Sequence, residues 1–203
     1  MSIEKLIPYS IILGSKSPRR HALLKGLGLS FEVDVADGLV ETYPDTLKGG
    51  EIAAYLARLK SHARKKPLAL NEVLITADTI VWHQDHVLGK PHDRGEACDI
   101  LNELSGNTHQ VFTGVCLRTQ EKERVFVSET YVTFSELSDE EINYYIEHYK
   151  PFDKAGAYGI QEWIGYVAVE EIRGSYFNVI GLPVQRLYHE LLQFTGVTRD
   201  HDV

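Results

Sequence analysis

The chain has 203 residues, 43% hydrophobic and 25% charged, with a formal net charge of −8. That length can bury a real core without staples and is read as one domain over residues 1–203, and the negative surface field argues against nucleic acid polymers as partners. No apolar run approaches the roughly 18 to 20 residues of a membrane span, and Met1–Ser10 lacks the basic-then-apolar build of a signal peptide, so a cytoplasmic protein with no membrane partner is expected.

Ile11 to Leu13 reads as a short buried strand. Ser17 can cap the helix that follows, with Pro18 in its first turn and Gly28 just past its end. Phe31 to Val35 reads as a second strand. Ile52, Leu56, Leu59 and Ala63 recur at helical spacing, which predicts an amphipathic helix from Glu51 to Lys66. Val73 to Ala77 is an apolar strand that delivers Asp78 at its end, and Thr79 to His83 continues extended before a turn at Gln84-Asp85. Arg94 to Leu104 is a helix ended by Ser105-Gly106.

Gln110 to Arg118 and Arg124 to Phe134 read as a long antiparallel pair. Ser138 and Glu141 form a capping box for a helix to about His148. A glycine-rich stretch follows, Ala155 to Gln161, read as a bulged strand or a close approach of backbone to ligand. Then come a strand near Tyr166 to Glu171, a turn at Arg173-Gly174, a strand near Phe177 to Ile180 and a last helix from Pro183 to Phe194. Helices interleaved with both crossovers and hairpins predict an α/β fold on a mixed sheet. The loops at Lys48–Gly50 and Tyr149–Pro151 are the places where the chain could divide.

Cys98 and Cys116 lie eighteen positions apart with no CxxC pair, as expected of buried reduced thiols, and the nine histidines show no zinc spacing. Chemistry is suggested elsewhere. In IILGSKSPRR a strand, a Gly-Ser turn and a helix N-terminus come together with Lys16, Arg19 and Arg20. This is either a solvated basic turn or an anion cradle of free backbone N–H groups, helix dipole and forked cations. It is neither a GxxxxGK[ST] loop nor a GxGxxG turn. Asp78 is a structural turn residue, a metal ligand or a base for water. Lys60, Lys90 and Glu41 are, taken singly, ordinary surface charges, and Gly156, Gly159 and Gln161 have no function that spacing alone assigns.

Together SKSPRR, ARLKSHA, ADTIV, LGKP, LSGNTHQVFTG, DKAGAYGIQ and GSYFNVIGLP, in that order from Ile11 to about Leu192, resemble the Maf family of nucleoside triphosphate pyrophosphatases. The resemblance implies an enzyme that hydrolyses a nucleoside triphosphate to the monophosphate and pyrophosphate with a divalent cation, Mg²⁺ or Mn²⁺, often as a homodimer. The implied fold is a long twisted mixed sheet with flanking helices, in two lobes around a central cleft. By the same resemblance Asp78 is the proton acceptor and a metal ligand. Ser15, Arg19, Arg20, Lys60 and Lys90 lie toward the phosphates, and Glu41 lies near the metal.

Arg19, Thr79 and Gln161 match the branch that resembles dTTP/UTP pyrophosphatases rather than the one resembling 7-methyl-GTP pyrophosphatases. The rival outside enzymology is a nucleotide-binding regulator of cell division without turnover. Departures from the family's pattern are Gly14 where Ala is common, Thr76 where Gly is frequent, and Glu162-Trp163 after Gln161, with Trp163 expected to alter the cleft rim.

Overall fold

A computed structural model describes residues 8–196; Met1–Ile7, part of the stretch read for a leader, lies outside them. Seven strands form one sheet in the order β2-β1-β3-β5-β6-β7, with β4 also paired to β3. In chain order the strands are β1 (Ser10–Leu13), β2 (Phe31–Val33), β3 (Glu72–His83), β4 (His86–Leu88), β5 (Thr108–Arg118), β6 (Glu123–Phe134) and β7 (Val169–Arg173). The helices are α1 (Pro18–Gly26), α2 (Gly50–His62), α3 (Arg94–Leu104), α4 (Asp139–Tyr149), α5 (Trp163–Val167), α6 (Tyr176–Ile180) and α7 (Val184–Thr195). β1 runs parallel to β2 and β3, while β3–β4, β3–β5, β5–β6 and β6–β7 are antiparallel, so the expected mixed-sheet α/β fold is present. Among the described residues no helix is long and apolar enough to cross a membrane.

The long strands β3, β5 and β6 pass through both ends of the molecule. One core cluster gathers Ile11, Leu13, Leu24, Ile75, Leu187 and Leu191 around β1, α1 and α7. A second gathers Val81, Leu101, Phe134, Ile142, Tyr145 and Ile164 around α3, α4 and α5. These are the two lobes, and the sheet is their common spine. On its other face α2 covers Ile80 with Ile52, Ala53 and Leu56. Covered on both sides, β3 is nearly all buried, which is why its apolar run is continuous rather than alternating.

What opens the cleft is an interruption in pairing. β1 accompanies β3 only to the register Leu13–Ile75, and β4 takes up the same edge from Val81. β5 occupies the opposite edge throughout, so residues 76 to 80 of β3 leave one edge without a strand neighbour. Asp78 sits at the middle of that gap, in mid-strand and not at a strand end as its sequence context suggests.

Five further readings are corrected. The strand beginning at Phe31 stops at Val33, and the α2 helix stops at His62 instead of reaching Lys66. Tyr166 and Val167 close a short helix before β7, because Gly165 lets the backbone turn onto Ile160 O, where a Cβ would come within 1.8 Å. Phe177 to Ile180 is helix α6, not a strand: Ser175 caps it by accepting from Asn178 N, and Gly181 at φ 125° ends it. The glycine-rich stretch is no bulged strand: it opens with a 3₁₀ turn at Ala155–Ala157, with Gly156 at φ 69° packed on Val81, where a Cβ would meet Cγ2 at 2.8 Å. Cys116 is buried as expected and Cys98 only partly so; both are free thiols.

Candidate active site

A cleft of about 540 Å³ fills the gap between the lobes. Its lining carries seven cationic side chains, Lys16, Arg19, Arg20, Lys60, Arg64, Lys90 and Lys154, against five carboxylates, Asp34, Asp37, Glu41, Asp78 and Asp153. In a chain of net charge −8 this locally positive concavity draws small anions while the outer surface repels polyanions.

Asp78 and Thr79 are neighbours in β3 and so project to opposite faces of the sheet. Asp78 faces α2, where Lys60 Nζ lies 2.5 Å from its Oδ1 and 2.9 Å from Glu41 Oε2. Lys60 is thus an ammonium shared by two carboxylates, and the three residues form one charged centre. Asp78 is 7% exposed, at the mouth of the gap. α2 comes close enough for this contact because Gly114 of β5, directly across from Asp78, has no side chain: a Cβ there would stand 2.2 Å from Ala53 O. Thr76 Oγ1 adds a second tie from β3, donating to Ala57 O at 2.7 Å.

The basic loop forms the adjoining wall. Ser17 caps α1 by accepting from Arg20 N, and the first turn holds no acidic residue to answer the helix dipole. Cations there work against the dipole preference, and together with the free N–H groups they make the turn suited to an anion. Ser15 Oγ accepts from Ser17 N at 3.2 Å and from Arg20 Nη1 at 3.5 Å, neither of which uses its own hydroxyl hydrogen. His21 Nε2 donates to Ser15 O at 2.6 Å and fixes the loop from behind.

The two arginines separate in role. Arg19 crosses the cleft to Asp153 at 3.4 Å, a partly exposed pair that an incoming phosphate can replace. Arg20, by contrast, donates through Nε to Gly181 O at 2.8 Å, through Nη1 to Ala77 O at 2.7 Å and through Nη2 to Thr79 Oγ1 at 3.0 Å. It answers the open edge of β3 and holds the loop to the sheet. Burial lowers its pKa and Asp78 opposes the shift, and an arginine remains charged throughout.

The far wall comes from residues 153 to 161. Gly156 N donates to Gly89 O at 3.0 Å and so places Lys90 at the rim, exposed and without an ion pair among the described residues. Gln161 lines the cleft, and its amide has no hydrogen-bond partner among the described residues. The sequence alone assigns no role to the residues that hold this wall. Lys154, 8% exposed, bonds Asp153 at 2.8 Å and Glu162 at 3.1 Å. Glu162 also accepts from the Tyr145 hydroxyl, which accepts from Gly159 N at 2.9 Å. Burial, then Glu162, raises the pKa of that phenol, which stays a donor. The lysine that opens the otherwise uncharged run KAGAYGI was the available signal. Trp163 packs on Tyr144 with ring centroids 4.8 Å apart and is not among the cleft-lining residues, so it does not alter the rim.

Asp78, Glu41, Lys60, Ser15, Arg19, Arg20, Thr79, Lys90 and Gln161 therefore line one cleft, although they come from six separate stretches of chain. Among the described residues no three His, Cys, Asp or Glu side chains make a ready metal cage. Asp78 and Glu41 do converge on a cation, the Lys60 ammonium, and two carboxylates completed by substrate phosphates and water are a donor set suited to Mg²⁺.

Several known proteins are similar to this chain. A dTTP/UTP pyrophosphatase of Phocaeicola vulgatus is 59% identical over 93% of this chain and 98% of its own. Proteins of the same name from Parabacteroides distasonis and Porphyromonas gingivalis are 55% and 50% identical, each over 95% of this chain and 100% and 98% of their own. A solved nucleoside-triphosphatase / dITP/XTP pyrophosphatase from Mycobacterium abscessus overlaps 63% of this chain and 75% of its own at 16% identity, with a TM-score of 0.37. The family described as Maf-like protein matches residues 10–194, and the chain belongs to it.

Proposed function

We propose that the chain hydrolyses dTTP and UTP between the α and β phosphates, releasing the monophosphate and pyrophosphate. The name carried by relatives at 50 to 59% identity supports the reaction. The observation that carries it here is a nearly buried carboxylate, Asp78, held by Lys60 at the centre of a cation-lined cleft.

The triphosphate lies along the Ser15–Arg20 loop, where Ser15 offers its hydroxyl hydrogen and the α1 N-terminus its free N–H groups. Arg19 leaves Asp153 for a phosphate oxygen, and Lys90 meets the chain from the opposite rim. These cations match the charge that builds on the departing pyrophosphate. Asp78 orients a water toward the α phosphorus and accepts its proton. Lys60 holds Asp78 in place and balances the charge of both carboxylates. Asp78 and Glu41 would hold the divalent cation, which when bound would supply positive charge to offset that of the phosphates. Gln161, with its free amide, reads the pyrimidine edge. A homodimer in the cytoplasm belongs to the same reading.

The test is pyrophosphate release from dTTP, UTP, CTP, GTP, ATP and 7-methyl-GTP with Mg²⁺ or Mn²⁺, before and after chelation, with Asp78→Asn alongside. Selective, chelator-sensitive release from dTTP and UTP is expected, reduced at least about a hundredfold in the variant while nucleotide binding remains. Near-normal turnover by Asp78→Asn would remove Asp78 from the reaction, and tight binding with no release would make the cleft a sensor.

A further inference from the structure

Beneath the cleft, on the face of β3 that carries Thr79, three hydrogen bonds run in a single direction. Arg20 Nη2 donates to Thr79 Oγ1 at 3.0 Å, Thr79 Oγ1 lies 2.9 Å from Thr113 Oγ1, and Thr113 Oγ1 donates to Asn178 O at 3.0 Å. A carbonyl oxygen can only accept, so the one hydroxyl hydrogen of Thr113 goes to Asn178. Thr79 must then be the donor to Thr113. The other acceptor near Thr79, Gly181 O, is 3.5 Å away and already receives Arg20 Nε at 2.8 Å.

Both ends of this relay are fixed. Arg20 holds Ser15 Oγ and Ala77 O, which places it in the phosphate loop. Asn178, wholly buried, gives Nδ2 to Val111 O at 3.0 Å and to Thr130 Oγ1 at 2.9 Å. It belongs to α6, whose next residues Val179 and Ile180, followed by Gly181, form the cleft wall. Thr113, also wholly buried, stands directly opposite Thr79 in the β3–β5 register and is the joint between loop and wall.

We infer that Thr113 is a positioning residue for nucleobase choice: through Thr79 and Asn178 it ties the α6 wall to the phosphate loop and holds the nucleobase end at the width of a pyrimidine. One consequence concerns Thr79. Its hydrogen is committed inward, so it acts on base choice through α6, and the direct donor to the ring is Gln161. This inference rests on the pyrophosphatase reading above.

The test compares Thr113→Val, which removes the hydroxyl at constant shape, with Thr113→Ser, which retains it. Two quantities are read: kcat/KM for dTTP and GTP, and calorimetric binding of their non-hydrolysable α,β-imido analogues. Thr113→Val loses both the bond from Thr79 and the bond to Asn178 O, which predicts a fall of about five- to tenfold in its dTTP-over-GTP preference, in KM rather than kcat. Thr113→Ser returns it to within about twofold. Thr79→Val cuts the same relay one step earlier and gives the same fall, and the double variant falls no further.

An unchanged preference in Thr113→Val, or effects of the two valines that multiply, would overturn the relay. If Thr113→Val fails to fold, Thr79→Val and Thr113→Ser carry the same comparison. A wild type that turns over no nucleotide overturns the pyrophosphatase reading alone, since analogue binding still reports preference. A wild type that binds both analogues equally overturns the relay.

Discussion

Gly114→Ala tests whether the charged centre depends on how closely α2 approaches the sheet. The new methyl would stand 2.2 Å from Ala53 O, 2.3 Å from Ala53 C and 2.6 Å from Ala54 N, all backbone atoms with no rotamer to yield. β5 is clamped between β3 and β6, so the helix is what gives way. Ordinary contact begins near 3.4 Å, which requires a retreat of about 1.2 Å at Ala53. Lys60 lies two helical turns on and moves with it. A rigid shift of that size takes Lys60 Nζ from 2.5 Å to about 3.7 Å from Asp78, beyond hydrogen-bond range, less whatever the lysine stem recovers.

Overpacking of this kind costs about 1–3 kcal/mol, and misplacement near 1 Å at a reacting group costs about ten- to a hundredfold in turnover. Urea unfolding and pyrophosphate release on the same preparation read the two effects. A variant within about 0.5 kcal/mol and about twofold of wild type would show that α2 does not set the Lys60–Asp78 contact.

Two other outcomes follow from local geometry. A Cβ at Gly14 would meet Thr76 Cγ2 at 2.6 Å, so Gly14→Ala destabilises by about 1–3 kcal/mol, whereas Gly14→Ala with Thr76→Gly loses at least about 1 kcal/mol less than the sum of the singles; strict additivity in urea melts would refute the coupling. Burial, with His83 adding to it, lowers the His109 pKa from 6.5 to about 3, and Nδ1 has no partner among the described residues. Below pH 6.5 the unfolded chain takes up a proton that the folded chain refuses, so stability is full above that pH and falls with acidification until about pH 3. At pH 5 wild type should have lost about 2 kcal/mol relative to pH 7.5 that His109→Gln does not lose. Parallel stability curves for the two proteins would contradict the assignment.

The local signals in the chain were sufficient wherever one residue type has one physical consequence. Ser17-Pro18 begins α1 and Ser138 with Glu141 begins α4 because caps and boxes satisfy free N–H groups within a single turn. The two strand-forming runs on either side of the polar Gln120–Glu123 segment made the β5–β6 hairpin legible, since a short polar turn between such runs leaves them to pair with each other. Phe177-Asn178-Val179-Ile180 misled because β-branched and aromatic residues favour strands, while the Ser175 cap and the buried Asn178 side chain override that preference through contacts with β5 and β6. That Asp78 and Glu41 share Lys60 could not be read from spacing, since the three come from a loop, a helix and a strand up to 37 positions apart. Nor could the open edge of β3, which exists because β1 ends at one register and β4 begins at another. Residue types thus settle which side chains are able to bind phosphate or take a proton. The distances that make them one site come from sheet register and from the bare backbone at Gly114, properties of the folded chain alone.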